Sequence, residues 1–475
     1  MKVRNYIYML LAGTITISSC SKEFLDEQPP TALPVDVAIS NEKDMADAVN
    51  GMYATMRSSS FLGREVPVLN DVLADNAYVS GNNSGRFTSQ QNYTYNITNA
   101  EALSIWTQGY YVILQSNRII AAGKELPQTP NSRQLWGEAY ASRALSYLTL
   151  VNFFGQPATV APTSPGVPLI LTPISTTGPQ LPSRATVAAV YDKIISDLDS
   201  AFLLMPASGV TAHPVNSNYI AKYAAKAIQS RAYLYKGDYA NAILAGREVV
   251  NNGGYTLAPS TDYAAYWTNV NGATNKQETI FELALNLATN NGTNGLDYMY
   301  NQGGYGDLLA YDALYNSYTA TDVRKNLFLT ASPTRGNVFV VNKYQSINND
   351  DVKVIRYSEV LLTIAEAYAR TNDNVNALIY ANQLAQRRDP SFAGFTTVGT
   401  ALADQIVNER RKELAFEGLR YFDLTRLNLP VTRPAQNGTA VTVATLPVTS
   451  FRRILPIPQQ EIDANKNIAP NPLYQ

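Results

Sequence analysis

Two stretches of this chain carry the same helix-turn-helix pattern, and that pattern limits the fold more than any other feature. In residues 223–250 the marks are Tyr233, Gly237, Tyr239 and Ala242; in residues 357–388, Tyr368 and Ala377 recur with the same separation as Tyr233 and Ala242. A small alanine lets the second helix of a hairpin approach the first, and the tyrosine fills the adjoining groove. The unit fits a repeat of about 34 residues. Because the copies stand far apart, the expectation is separate helical hairpins joined by long insertions, not a continuous solenoid.

Other segments share the helical period. Met45, Val49, Met52 and Met56 fall on one face, residues 103–122 and 134–154 are periodic, and Thr186 is a natural N-cap for a helix with Val190, Ile194, Leu198 and Phe202 along one side. Between them, residues 155–182 hold seven prolines, which predicts an irregular surface excursion. Residues 75–99 turn polar and aromatic and read as a long loop.

The N-terminus has a different purpose. Lys2 and Arg4 precede an apolar run, YIYMLLAGTITI, and small Ser18 and Ser19 lead into Cys20, the only cysteine. This is the layout of a secretory signal; the run is too short to span a bilayer, which takes about 20 apolar residues. The cysteine at its end makes the segment similar to a bacterial lipoprotein signal, with residues 1–19 removed and Cys20 lipidated; an ordinary secretory signal with an incidental cysteine is the alternative. A lipidated Cys20 leaves no disulfide, so the core must hold the fold, and 475 residues with 45% hydrophobic content suffice.

Composition narrows the chemistry. With His213 as the only histidine there is no zinc site and no Ser-His or Cys-His pair, and His213, next to Pro214, reads as a surface loop residue. Charge is balanced, 37 Lys plus Arg against 38 Asp plus Glu, which argues against a nucleic-acid partner. No motif calls for a cofactor or metal, although loop oxygens could hold a structural calcium. What stands out is 31 Tyr, a flat apolar ring with a hydroxyl, suited to polar ligands that also have apolar faces.

The blocks NGMYATM (50–56), GVPLIL (166–171), SRATVAAVYDKIISDL (183–198), ETIFEL (278–283), VIRYSEVLLTIAEAYAR (354–370), ERRKELAFEGLRYFDLTR (409–426) and LPIPQQEIDANKNIAPNPLY (455–474) occur in the order found in SusD/RagB proteins, the surface nutrient-binding lipoproteins of Bacteroidetes. Through these blocks the chain resembles that family over essentially its whole mature length. The resemblance implies a mostly α fold, with tetratricopeptide-type hairpins as scaffold, long loop-rich insertions and a few short strands. It also implies two regions, 20–260 and 261–475, forming one unit. The implied activity is binding without catalysis: a lipid-anchored lid on a SusC-like TonB-dependent outer-membrane transporter, passing it oligosaccharide or, in some members, peptide. Glu23, Asp26 and Glu27 after Cys20 are similar to the acidic signal that sends such lipoproteins to the cell exterior, a match that Lys22 interrupts.

Glu409, Glu413 and Glu417 fall at spacing four among Arg410, Arg411 and Arg420, which reads as an amphipathic helix with a charge network. Basic neighbours would depress those carboxyls, which suits structure better than general acid chemistry. Two loops are ligand candidates by composition: one with Tyr78, Asn82, Asn83, Phe87, Tyr93 and Tyr95, the other with Asp297, Tyr298, Tyr300, Asn301 and Tyr305 among glycines. Trp106, Trp136 and Trp267 are expected to be packing residues. The competing readings are a surface glycoside hydrolase, for which Asp75, Asp297 and Asp307 could be proposed, and a periplasm-facing assembly scaffold.

Overall fold

The first helix, Glu42–Met56, buries Met45, Val49, Met52 and Met56, the stripe its sequence predicts, and Asn41 caps it by accepting the Asp44 N–H. The structure is a computed structural model and describes residues 39–173, 180–208, 210–213, 218–268, 277–434, 436 and 441–474. The signal segment, Cys20 and the acidic stub lie outside the described residues. None of the described helices is long and apolar enough to cross a membrane.

From Glu42–Met56 the helices form a row. It lies on Ala100–Glu125, which packs on Pro130–Phe154, followed by Val187–Leu204, Lys222–Lys236, Tyr239–Asn252 and Tyr357–Arg370; the last is covered by Asn374–Arg388 and Gly399–Glu413. Caps set the starts. Asn99, Thr129 and Thr186 each accept a backbone N–H of the following turn, a contribution of about 1 kcal/mol apiece. Pro130–Phe154 is buried on nearly all sides, as befits its place inside the row.

The two hairpins recognised in the sequence share a turn. Gly237 and Asn372 both adopt positive φ (81° and 62°), and the next residue in each, Asp238 or Asp373, caps the second helix by accepting the N–H of Asn241 or Asn376. Ala242 and Ala377 are fully buried. The expectation of isolated hairpins needs correcting, because Tyr239–Asn252 packs directly on Tyr357–Arg370 and the row is unbroken in space. A Cβ at Gly246 would stand 2.6 Å from Ile364 Cγ1, so the missing side chain is what lets these helices meet. The described residues between 253 and 356 are looped out of a continuous stack, which no local spacing discloses.

The looped-out residues form small sheets, one of them completed by a strand from residues 75–99. Ala77–Val79, Leu308–Ala310, Phe339–Val341 and Phe328–Leu329 make an antiparallel sheet in that spatial order, and Thr279–Leu283 pairs with Val352–Arg356. Residues 75–99 are therefore not a plain loop. Ala77–Val79 is a buried edge strand, and Phe87, Tyr93 and Tyr95 turn inward, with the Tyr93 hydroxyl donating to the Leu73 carbonyl and that of Tyr95 to Arg452. Within the proline-rich stretch, Pro165–Pro168 pairs with Arg184–Thr186.

His213 also departs from expectation. It is 2% exposed, stacked on Tyr219 at 4.0 Å, and its Nδ1 lies 2.9 Å from Glu138 Oε2. Tyr53 donates to the same carboxylate oxygen at 2.8 Å. A buried carboxylate needs such partners, and the fold recruits the lone histidine to supply one. The tail closes the molecule through side-chain amides: Asn465 donates to the Pro182 carbonyl, Asn467 to that of Leu181, and Asn471 to those of Phe154 and Leu455.

Beneath the insertion lies a buried ion network. Glu413 contacts Arg324, Arg356 and Arg388; Glu278 contacts Arg356 and Arg388; Glu417 contacts Arg356 and Lys343. Burial alone would raise the Glu413 carboxyl, but Arg388, Arg356 and Arg324 outweigh it and hold it well below the usual range. Glu417 is lowered by the same balance, through Arg356 and Lys343. Glu409 joins through Arg324, the helix ends at Glu413, and Glu417 arrives after the chain turns through positive φ at Phe416, so Glu409, Glu413 and Glu417 share a network without all lying on one helical face.

Candidate functional site

The pairing of Ala77–Val79 with Leu308–Ala310 determines where the two candidate loops go. The loop that follows the first strand and the loop that precedes the second leave the same end of the pair and meet. Ser80 N donates to the Asp307 carbonyl at 2.8 Å, and Ser84 N and its hydroxyl both donate to Asp307 Oδ2. Arg335, from a third loop, ties them together by donating to the carbonyls of Asn82 (3.1 Å) and Tyr305 (3.0 Å) and pairing with Asp307 Oδ1 at 3.3 Å.

On this base sit two rings. Tyr298 and Tyr305 are half-buried, with centroids 6.0 Å apart and planes at 60°. The guanidinium of Arg86, from the first loop, lies over the Tyr305 ring at 3.9 Å. The turn between the tyrosines is tight: a Cβ at Gly304 would come within 2.8 Å of Tyr298 Cα, and Gly306 adopts φ +57°. Glycine is required there by both close approach and conformation. Asn82 is exposed beside the rings and Asn83 half-buried. An open surface of two angled aromatic rings, amides and one guanidinium can stack the apolar face of a sugar and bond its hydroxyls.

The remaining candidates hold the patch from below. Tyr300 is fully buried, stacked on Tyr344 at 5.5 Å, with its hydroxyl 3.3 Å from Asp71 Oδ2. Tyr78 is fully buried against Tyr311, and Phe87 is 3% exposed. Rings so enclosed have no face for a ligand; composition offers all seven aromatics of the two loops because alternation within a short strand and a one-turn helix cannot be read from it. Asn301 donates to the Tyr344 and Gln345 carbonyls and so braces the loop. Asp297 is buried, accepts the N–H groups of Tyr298 and Asn348, and is raised by burial. Arg86 and Arg335 carried no sequence signal.

The carboxylates needed for the hydrolase reading are engaged elsewhere. Asp75 pairs with Arg420 at 2.7 Å and Arg411 at 3.3 Å; burial would raise it, but the two guanidiniums outweigh burial and hold it low. Asp307 is committed to Ser84 and Arg335, and Asp297 to backbone N–H groups. Among the described residues no group of three His, Cys, Asp or Glu is arranged to hold a metal ion.

A mostly helical scaffold carries a loop-built aromatic surface, and comparison with known proteins shows to which family such a chain belongs. The family described as "Starch-binding associating with outer membrane" matches residues 23–234, and the SusD family matches residues 337–474. A SusD-like protein of Formosa agariphila is 25% identical, covering 99% of both chains. A SusD superfamily structure from Bacteroides vulgatus is 27% identical with TM-score 0.83, over 92% of this chain and 99% of that one. Another, from Bacteroides thetaiotaomicron, is 27% identical with TM-score 0.81, over 91% and 100%. This chain belongs to the SusD/RagB family.

Proposed function

We propose that the protein is a cell-surface lipoprotein that captures an oligosaccharide or polysaccharide on the Tyr298–Tyr305 patch and passes it to a SusC-like TonB-dependent outer-membrane transporter. In this reading Cys20 carries the lipid anchor, the body faces the exterior, and no bond is made or broken. The observation that carries it is the meeting of two loops, distant in sequence, in one surface bearing paired tyrosines, amides and a guanidinium. The outer-membrane starch-binding description of the matching family supports both glycan and location.

Binding to a panel of polysaccharides, followed by affinity electrophoresis or calorimetry, tests the site. Tyr305→Ala and Tyr298→Ala should each weaken binding about tenfold, the size of loss expected for an aromatic anchor, while Tyr300→Phe, which removes only a buried hydroxyl, should leave it nearly intact. Unchanged affinity in both alanine variants removes the patch from the mechanism. Binding of peptides but no glycan by the folded protein would instead select the peptide-uptake alternative.

The delivery step has its own expected result. Cells lacking the partner transporter should lose uptake of the cognate nutrient while the purified protein still binds it. Normal uptake in that strain, with no second transporter induced, argues against the lid role.

A further inference from the structure

Among the described residues, Arg86 is the one cation of the patch that is not matched by a carboxylate. Asp307 is spent on Arg335, and the neighbouring Arg64, which reaches Asn294 at 3.2 Å, is paired with Glu65. Among the described residues no Asp or Glu lies within ion-pair distance of Arg86. Among the described residues its partners are the Ser84 hydroxyl, 2.7 Å from Nη1, and the Tyr305 ring beneath it. Ser84 is itself fixed by Asp307, so the guanidinium is held from one end and from below while its Nε and Nη2 edge has no acceptor among the described residues.

We infer that the saccharide taken at this patch is anionic, a polysaccharide bearing carboxylate or sulfate groups, and that Arg86 reads that charge. The inference rests on the reading of the patch as a glycan site. A neutral sugar that stacks on Tyr305 must first displace the guanidinium and give up its attraction to the ring. An acidic sugar keeps that contact and adds to it. A planar guanidinium offers paired N–H groups that match the two oxygens of a carboxylate or sulfate, and Arg86 presents such an edge already oriented by Ser84 and Tyr305. The nearest competing anion, Asp307, is 2% exposed and faces Ser84 and Arg335. The surface around the rings therefore carries one unbalanced positive charge.

The test compares polymers that differ only in charge. Binding of the purified protein to polygalacturonate is measured beside its fully methyl-esterified form, and to a sulfated galactan beside its desulfated form. The charged member of at least one pair should bind about tenfold tighter, which pair it is tells carboxylate from sulfate, and the advantage should shrink as NaCl rises from low to high concentration. Arg86→Gln should abolish most of the advantage and Arg86→Lys should retain part of it, with thermal stability unchanged in both. Equal binding of charged and uncharged members, or an advantage that survives Arg86→Gln, overturns the inference and leaves the glycan reading standing. If the folded protein binds neither these polymers nor the neutral glucans starch and laminarin, or binds only peptides, the glycan reading itself falls and takes this one with it.

Discussion

Glu413→Gln should destabilise the protein by about 3–5 kcal/mol, measured as a shift in the urea-unfolding midpoint at pH 7. Glu413 and all three arginines around it, Arg324, Arg356 and Arg388, are nearly or fully enclosed, with contacts of 3.2, 2.9 and 3.0 Å. Removing one member of a buried ion set leaves the others as uncompensated charges, which costs far more than the set contributes over an apolar replacement. The contrast is Lys43→Met, which breaks a shorter pair, 2.7 Å, with Asp47 whose side chains are 82% and 64% exposed; solvent screening leaves such a pair nearly neutral. A loss under about 1 kcal/mol for Glu413→Gln would mean that Glu278 and Glu417 can neutralise the arginines alone. The same network shapes the pH dependence. Glu413, Glu417 and Asp75 are held below their unfolded values, so their contribution is complete above about pH 4.5 and lost as pH falls through the folded values. Asp71 and Asp350 act in the opposite sense. Burial pushes both up to about 7, so they favour the folded state increasingly as pH drops from above 7 toward 4. The unfolding midpoint should therefore peak near pH 5.

Gly418→Ala is expected to be nearly as damaging, costing about 3 kcal/mol in the same assay. Gly418 adopts φ +78°, which an alanine tolerates only with strain. A Cβ there would also stand 2.6 Å from Pro67 Cα, and backbone cannot move aside as a flexible side chain can. The consequences reach the network, because Gly418 follows Glu417, whose carboxylate holds Arg356 and Lys343. Gly85→Ala is the control: its φ is also positive, 88°, but nothing lies within 4 Å of the added Cβ. A loss at Gly418 no larger than at Gly85 would show that the close approach to Pro67 is not required.

These two positions lie in blocks of the sequence that converge in space. ETIFEL supplies Glu278, VIRYSEVLL supplies Arg356, and ERRKELAFEG supplies Glu413, Glu417 and Gly418; quoted separately along the chain, they meet in one buried cluster. The density of arginine among Glu409, Glu413 and Glu417 pointed to a charge network, but Arg410 pairs with Glu359 and Asp423, and Arg411 and Arg420 with Asp75. The cations that do hold Glu413 and Glu417, namely Arg324, Lys343, Arg356 and Arg388, were not legible, since their contacts cross long sequence separations.

The ligand patch divides in the same way. Both loops were legible from composition, because tyrosine, asparagine and glycine cluster visibly in each. That they form one surface depends on antiparallel pairing between Ala77–Val79 and Leu308–Ala310, two three-residue strands too short to show alternation. Which tyrosines face outward followed from that pairing and from the packing of Tyr300 between Tyr344 and Phe416.

The amino-acid sequence by itself determined the helical scaffold, its caps and its two matching hairpin turns, since period and capping chemistry are local. It also determined the family, through the order of its blocks. Only the tertiary structure decided that the hairpins stack without a break, that His213 is buried on Glu138, and that Tyr298, Tyr305 and Arg86 share one surface. The physical reason is that packing, ion pairing and strand pairing join residues by proximity in space, and no local spacing records which distant segments will close on one another.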